Sequence, residues 1–294
     1  MMPATPYVGR FAPSPSGPLH LGSLLTALTS YLDAKAHQGL WLVRIEDIDP
    51  PREQLNADRT IIDSLKAHGL ISDKPILYQS TRLAHYHSVI ERLLEQDQAY
   101  RCICTRAQIK ATGGKYPGTC STSKLTTTPS AVRYRNPCSI TQFNDRFSGL
   151  ITLSEHEFEL EDITIQRKDG LFAYNLAVVL DDIEQGITHI VRGFDLLPTT
   201  IAQMNLWQYF SPQLPDYAHT PLLVSSPGQK LSKQNHASAI DNQHALDNVL
   251  LCLSLLNISI SEASKQQGLS AVLQEAVACW QQGIHFPSHE IIVT

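Results

Sequence analysis

The sequence of 294 residues contains no apolar run close to the length of a membrane-spanning segment. A transmembrane helix needs about 20 consecutive apolar residues, so none is expected. Residues 1–8 also lack a basic segment followed by an apolar core, so no secretory signal peptide is expected. These two absences indicate a cytoplasmic protein.

Charged residues are few, at 17%, and hydrophobic residues make up 43%. That composition predicts an ordinary buried core and excludes extensive disorder. Only six cysteines occur, and a disulfide framework is not expected in a cytosolic chain of this size. Three of the six lie within residues 102–120, and this clustering favours a metal site.

Acidic residues are absent from residues 101–135, which contain seven lysines and arginines, although the whole chain carries a net charge of −5. A basic segment on an acidic body can bind a polyanion at one place. The alternative is a solvated surface loop, and charge alone does not separate the two.

The order of the apolar segments predicts an α/β fold. Residues 7–12 and 40–45 are predicted strands, and residues 19–36 and 52–68 are predicted helices. Strands that alternate with helices in this way predict a parallel, doubly wound sheet. Apolar strands and helices continue from residue 173 onwards, after a stretch that breaks the pattern.

Two short motifs are candidates for chemistry. The first, PLHLG at residues 18–22, lies where the first predicted strand passes into the first predicted helix. A helix N-terminus favours an anion, Gly22 leaves room for a nucleotide near the backbone, and His20 can donate a hydrogen bond to a phosphate. Read alone, an ordinary strand–turn–helix connection with an incidental histidine is the simpler interpretation.

The second motif, KLSKQ at residues 230–234, follows SSPG at residues 225–228. Lys230 and Lys233 on such a loop can neutralise the charge that builds on a transferring phosphate. Read alone, a solvated basic loop is the simpler interpretation.

Together the two motifs resemble the signatures His-Ile-Gly-His and Lys-Met-Ser-Lys-Ser of class I aminoacyl-tRNA synthetases. Four further blocks resemble the glutamyl branch of that class: GRFAPSPSG at 9–17, RIEDIDP at 44–50, YNLAVVLDD at 174–182 and VRG at 191–193. The resemblance covers residues 6–235. The signatures are altered at Ser23, Leu231 and Gln234, whereas His20, Gly22 and Lys233 are retained.

The resemblance implies a Rossmann-type catalytic core with an insertion. The predicted parts are the first half of the catalytic domain at residues 1–100, an inserted zinc-binding, acceptor-like subdomain at 101–170, the second half with the KLSKQ loop at 171–235, and a helical C-terminal segment at 236–294. No anticodon-binding domain is expected within residues 235–294, because a domain usually takes about 100–150 residues.

A glutamate site can be argued from charge. Two carboxylates and one ammonium require two cationic anchors and one anionic anchor, because an unpaired buried charge is costly. Arg10 and Arg192 suit the carboxylates, and Glu46 suits the ammonium. Tyr174 can hydrogen-bond the side-chain end, and Ser14 lies on the loop beside Arg10. The resemblance assigns all five positions to glutamate binding, and which arginine takes which carboxylate stays open.

The clustered cysteines are typical of a tetrahedral Zn²⁺ site. The candidate ligands are Cys102, Cys104, Cys120 and Tyr116. No histidine lies between residues 88 and 155, so the fourth ligand is of another type. Tyr116 resembles the family's fourth ligand, and Cys138 or water is the alternative. One structural zinc per chain is expected; free cysteines in a small core are the other interpretation.

The resemblance implies that the carboxylate of L-glutamate attacks the α-phosphorus of ATP, which enters with Mg²⁺, while His20, Gly22, Lys230 and Lys233 bind or stabilise the phosphates. The short length and the cysteine insertion are most similar to truncated paralogues of the glutamyl branch. That similarity implies transfer of glutamate to queuosine at the wobble position of tRNA(Asp). The alternatives are charging of a tRNA 3′ end and a catalytically inactive RNA-binding protein.

Overall fold

The computed structural model of the protein describes residues 6–126, 128–153, 161–226, 228–230, 238–281, 283, 286 and 288–293. Its strands and helices follow in the order β1 (Val8–Phe11), α1 (Leu21–Ala36), β2 (Leu40–Ile45), α2 (Ala57–Ala67), β3 (Leu77–Tyr78), α3 (Leu83–Glu95), β4 (Ala99–Cys102), α4 (Arg106–Ala111), β5 (Ala131–Tyr134), β6 (Gln142–Asp145), β7 (Gly149–Thr152), β8 (Ile163–Gln166), α5 (Tyr174–Glu184), β9 (His189–Gly193), α6 (Leu197–Phe210), β10 (Asp216–Thr220), β11 (Leu222–Ser226), β12 (Gln229–Lys230), α7 (Ala245–Leu255), α8 (Glu262–Gln267), α9 (Leu269–Trp280) and β13 (Glu290–Ile292).

A largely parallel sheet forms the centre of the fold. β1 pairs in parallel with β2, and β2 pairs with β3. On the other edge of β1, the N–H of Thr188 donates to the carbonyl of Val8 at 3.0 Å, which places β9 beside β1. β9 pairs in parallel with β10 and β10 with β6, and the antiparallel hairpin of β6 and β7 ends the sheet. The predicted α/β fold with a parallel sheet is confirmed.

Helix α1 packs on this sheet through leucines at helical spacing. Leu24, Leu25, Leu28 and Leu32 are fully buried, and burial of a leucine side chain contributes about 1.5–3 kcal/mol to stability. This packing fixes the N-terminus of α1 close to the point where β1 ends.

Helix α2 begins at Ala57 and not at residue 52 as the sequence predicts. Residues Pro50–Arg52 form a separate 3₁₀ turn. Asn56 then takes a left-handed conformation with φ of 60°, which asparagine tolerates better than most residues and which cannot continue a helix. As a result Glu53 and Gln54 lie on a loop that lines the central cleft.

The cysteine-rich segment forms a small unit on a separate antiparallel sheet of β4, β5 and β8. A hydrophobic cluster of Tyr100, Cys102, Tyr116 and Cys120 lies against it. β6 and β7, which come next in the sequence, join the central sheet instead. The proposed division of the chain into domains stays a prediction.

The C-terminal part is helical, as predicted. Helices α7 and α9 share the core under α1, and the indole N–H of Trp280 donates to Asp33 at 3.0 Å. The short strand β13, which the sequence did not suggest, pairs in parallel with β11, Leu222 lying opposite Glu290. Within the described part of the chain, no helix combines the length and the apolar character needed to cross a bilayer.

Candidate active site

A cleft of about 1430 Å³ opens at the carboxyl ends of the parallel strands, the usual ligand-binding edge of such sheets. Ser14, Glu46 and Tyr174 line the cleft. The side chains of Arg10 on β1 and Arg192 on β9 lie close behind this lining and are buried. The side chains of the site therefore come from β1 and β9, from the segments that follow β1 and β2, and from the start of α5, so the central sheet and the helix that packs on it position them.

Arg10 and Arg44 share one buried carboxylate. The guanidinium of Arg10 pairs with Asp182 of α5 through two bonds, Nε–Oδ1 at 3.0 Å and Nη2–Oδ2 at 3.1 Å. Nη1 of Arg44 lies 2.7 Å from the same Oδ1. Among the described residues nothing accepts a hydrogen bond from Nη1 of Arg10. Arg10 is therefore held in place by Asp182 and still has N–H groups for a ligand.

Glu46, directly after β2, is buried and only weakly compensated. Its Oε1 lies 3.4 Å from Nη2 of Arg44, a long contact for an ion pair. Burial raises the pKa of Glu46 to about 7, although Arg44 and Arg10 oppose the shift. A cation that enters the cleft beside Glu46 would favour its ionised form.

Arg192 is a buried guanidinium whose direct partners are neutral. Nη1 donates to Gln203 at 2.7 Å and Nη2 donates to Thr200 at 2.8 Å. Each of these nitrogens has one further contact, which is long: 3.5 Å to the hydroxyl of Tyr174 and 3.4 Å to the carbonyl of Leu196. No carboxylate within the described residues lies at ion-pairing distance from Arg192. A buried cation in this state favours an anionic ligand.

The first motif lies at the N-terminus of α1. Nδ1 of His20 accepts the backbone N–H of Ser23 at 3.2 Å, and Nε2 lies 3.0 Å from the hydroxyl of Ser23. Ser23, which replaces the last histidine of the family signature, therefore holds the His20 ring against the helix. A side chain at Gly22 would approach that ring to 3.2 Å, so glycine leaves the ring undisturbed.

Most of the second motif falls outside the described residues. This applies to Leu231, Lys233, Gln234 and the side chain of Lys230. Both flanks are described: the backbone of Lys230 pairs with Val224, and Ala239 forms a β-bridge with His20. The N–H of Ile240 also donates to Leu19 at 3.0 Å. The chain that leaves the second motif therefore contacts the turn that carries the first.

The three clustered cysteines converge. The Sγ atoms of Cys102, Cys104 and Cys120 lie within 4.8 Å of one another. The hydroxyl of Tyr116 accepts the backbone N–H of Cys120 at 3.0 Å, and all but Cys104 are buried. Cys138, the alternative fourth ligand, is not part of the group that the described residues form. Three thiols and a phenol at one point are a donor set that fits Zn²⁺.

Several residues of the site were not singled out from the sequence. They are Arg44, Asp182, Thr200, Gln203 and His219, all buried. Arg44 and Asp182 carried a usable signal, because each is a charge at the end of an apolar run and such a charge needs a partner. Thr200, Gln203 and His219 carried none, because their role depends on contacts between distant elements.

The chain matches the family described as tRNA synthetases class I (E and Q), catalytic domain, over residues 7–275. A protein of Idiomarina loihiensis named glutamyl-Q tRNA(Asp) synthetase is 47% identical over 280 residues, which cover 95% of this chain and 98% of that protein. The protein of that name from Escherichia coli strain K12 is 47% identical over 280 residues, which cover 95% and 91%.

A solved glutamate tRNA ligase from Elizabethkingia meningosepticum, in complex with its amino acid, superposes with a TM-score of 0.77. The superposition covers 97% of this chain and 67% of that one at 23% identity, so it establishes the shared fold. Because the family match and the relatives span nearly the whole sequence, the chain belongs to the class I tRNA synthetases of the glutamyl and glutaminyl type.

Proposed function

We propose that this protein activates L-glutamate with ATP and transfers the glutamyl group to queuosine at the wobble position of tRNA(Asp). Family membership supports a class I synthetase reaction, and the names of relatives at 46–49% identity support this acceptor. The structural observation that carries the proposal is the combination of Glu46, a weakly compensated carboxylate that lines the cleft, with Arg192, a buried guanidinium behind that lining whose direct partners are neutral.

The charges of the cleft match those of glutamate. Glu46 would bind the ammonium, since a cation lowers the cost of ionising a carboxylate whose pKa is raised to about 7. Arg192, with the hydroxyl of Tyr174 3.5 Å from its Nη1, would bind one carboxylate. Arg10, whose Nη1 has no acceptor among the described residues, would bind the other together with Ser14 of the cleft lining. Glutamine would leave one guanidinium without its anion.

Activation requires ATP beside that site. The N-terminus of α1 offers backbone N–H groups to a phosphate, and His20 and Gly22 lie there. We assign Lys230 and Lys233 to the charge that develops when the glutamate carboxylate attacks the α-phosphorus in line and pyrophosphate leaves. Mg²⁺ would enter with ATP as part of the substrate and balance the charge of its phosphates.

The cleft extends beyond the candidate glutamate site, and its far wall belongs to the cysteine-rich segment. Cys104, Arg106 and Arg133 line that wall, and Lys168, just after β8, also lines the cleft. A tRNA loop that enters between the two walls would present a hydroxyl of the queuosine cyclopentenediol to the glutamyl-adenylate. The basic residues between 101 and 135 would then contact the phosphate backbone.

We further assign Zn²⁺ to Cys102, Cys104, Cys120 and Tyr116, one ion per chain. All four ligand positions would come from the protein, which is the arrangement of a structural site. The ion would tie β4 to the turn that follows α4 and so stabilise the far wall of the cleft.

The test is a transfer assay with radiolabelled glutamate on three substrates: tRNA(Asp) with queuosine, tRNA(Asp) without it, and queuosine-containing tRNA(Asp) that lacks its terminal adenosine. We expect transfer to the first and the third, with a product labile to mild alkali because it is an ester. Loss of transfer to the third alone would mean that the protein charges the 3′ end. Absence of glutamate-dependent ATP–pyrophosphate exchange would mean an inactive site.

A further inference from the structure

A chain of buried side chains connects Arg192 to a carboxylate on another strand. Asp145, the last residue of β6, accepts three backbone N–H groups at its Oδ1: those of Phe147 at 3.0 Å, Ser148 at 2.9 Å and His219 at 3.3 Å. Its Oδ2 lies 2.6 Å from Nδ1 of His219. Both side chains are excluded from solvent, so this carboxylate is fixed in orientation as well as in position.

The ring of His219 must carry its proton on Nδ1, the nitrogen that faces Asp145. Although burial opposes ionisation, the hydrogen bonds from His219 lower the pKa of Asp145, so the carboxylate is ionised and can only accept. Burial lowers the pKa of His219 to about 4, so the ring is neutral at working pH. A neutral ring with its proton on Nδ1 has a lone pair on Nε2.

That lone pair faces the candidate glutamate anchor. Nε2 of His219 lies 3.2 Å from Nε of Arg192 and 3.1 Å from the hydroxyl of Thr200. An arginine Nε can only donate, so the contact with Arg192 requires the tautomer that Asp145 imposes. The opposite tautomer would place two N–H groups against each other inside the core.

We propose that Asp145 and His219 are positioning residues for glutamate recognition: Asp145 selects the tautomer of His219, and Nε2 of that tautomer orients the guanidinium of Arg192 toward the cleft. The inference rests on the proposed function, because it takes Arg192 as an anchor for a substrate carboxylate. It adds a second layer of residues to a site that Arg10, Glu46 and Tyr174 otherwise define.

The first test is Asp145→Asn, a change that keeps size and keeps Oδ1 as an acceptor for the three backbone groups. The new amide N–H would face Nδ1 and favour the opposite tautomer of His219. We expect the KM for glutamate in ATP–pyrophosphate exchange to rise about 10- to 100-fold, the loss typical of a hydrogen bond to a charged group. The KM for ATP should change little, because His20 and Gly22 lie on another element.

A matched pair of substitutions separates the two ends of the ring. His219→Gln places an amide near the position of Nε2 and can still accept from Arg192, whereas His219→Asn reaches only toward Asp145. We expect the glutamate KM to rise strongly for the asparagine variant and weakly for the glutamine variant. Equal KM values for the two variants would contradict the proposal and leave His219 a packing residue. His68→Asn, at another buried histidine, controls for the loss of a buried ring.

The decisive experiment combines Asp145→Asn with His219→Gln. A glutamine amide has no tautomers and can rotate, so Asp145→Asn should add little to the KM already measured for His219→Gln. Additive losses would overturn the tautomer argument. If the wild-type protein showed no exchange with glutamate, the proposed function would fail; if it exchanged normally and Asp145→Asn left the KM unchanged, only the positioning role would fail. Thermal unfolding of each variant verifies that it is folded.

Discussion

The ionisation of Glu46 decides whether the candidate site can accept an ammonium group. Burial raises the pKa of this carboxyl to about 7, against the opposing effect of Arg44 and Arg10. Only the ionised form balances the ammonium of glutamate, so we predict that glutamate affinity falls as the pH drops through 7. This pH dependence should appear in glutamate binding, because Glu46 lines the cleft. Its contact with Arg44 is long, at 3.4 Å, so the carboxylate is still available to the ammonium of the ligand.

The magnitude follows from a single titration. An ionised fraction that falls from about nine tenths at pH 8 to about one tenth at pH 6 weakens binding roughly tenfold, or about 1.4 kcal/mol. Glutamate itself keeps its charges over this interval, since its carboxylates titrate well below pH 6 and its ammonium well above pH 8. The dissociation constant should therefore be nearly constant above pH 8 and rise with each step below pH 7.

The assay is titration calorimetry with glutamate in the absence of ATP, at several pH values between 6 and 8.5. Glu46→Gln is the matched variant: its binding should be weak and independent of pH. A flat profile for the wild-type protein would refute the reasoning, and so would a slope that persists in the variant. The first result would mean that Glu46 is already ionised at pH 6, and the second that another group titrates.

The same pKa has a consequence for folding. The folded-state pKa of Glu46 is raised from its ordinary 4.5 to about 7, so ionising this carboxyl destabilises the fold as the pH rises between those values. At pH 8 the free energy of unfolding of Glu46→Gln should therefore exceed that of the wild-type protein by at most about 3 kcal/mol, and its Tm should be higher. The difference should shrink toward pH 5, where the wild-type carboxyl is protonated in the folded state.

Three further predictions concern specificity, catalysis and the metal. Glutamine should support exchange at least about 100-fold less efficiently than glutamate, since it leaves a buried guanidinium unpaired; comparable kcat/KM values would argue against two arginine anchors. Lys233→Ala should lower kcat for exchange about 10²–10³-fold, as for loss of one preorganised donor, and an unchanged kcat would remove the residue from catalysis. Elemental analysis should find about one zinc per chain, and Cys120→Ser should lower the Tm more than the Cys138→Ser control while glutamate exchange persists.

The fold was predictable from the sequence where one local pattern dominates. The strand at residues 40–45 has the bounds predicted for it, because its mostly apolar residues end at Ile45, directly before the acidic pair Glu46 and Asp47. The start of α2 was not predictable, since the left-handed conformation of Asn56 overrides the helical periodicity that follows Pro51. β13 has three residues and exists only through its pairing with β11, a long-range contact that leaves no local mark.

The candidate site was also predictable from the sequence only in part. Residues expected to touch glutamate lie in blocks that resemble a family, so the sequence indicates them directly. The roles of the residues that orient them are not visible in the sequence: Arg44 and Asp182 lie in two of these blocks, but they are 138 positions apart and meet only in the fold, where β2 and α5 come together. His219 reaches Arg192 only because β10 pairs with β9, and Asp145 reaches His219 only because β6 pairs with β10.

This division has a physical cause. A group that contacts a ligand must have a particular chemistry, so its residue type is restricted and can be recognised in a motif. A group that orients another side chain needs only a donor or acceptor at one point in space, which different residues on different elements can provide. Asp182 illustrates the consequence, because its one carboxylate pairs with both Arg10 and Arg44. Replacing Asp182 would leave Arg10 without a carboxylate partner and Arg44 with only its long contact to Glu46, and it is expected to destabilise the fold by about 3–5 kcal/mol. Loss of activity in such a variant would report on the charge balance behind the cleft and not on contact with glutamate.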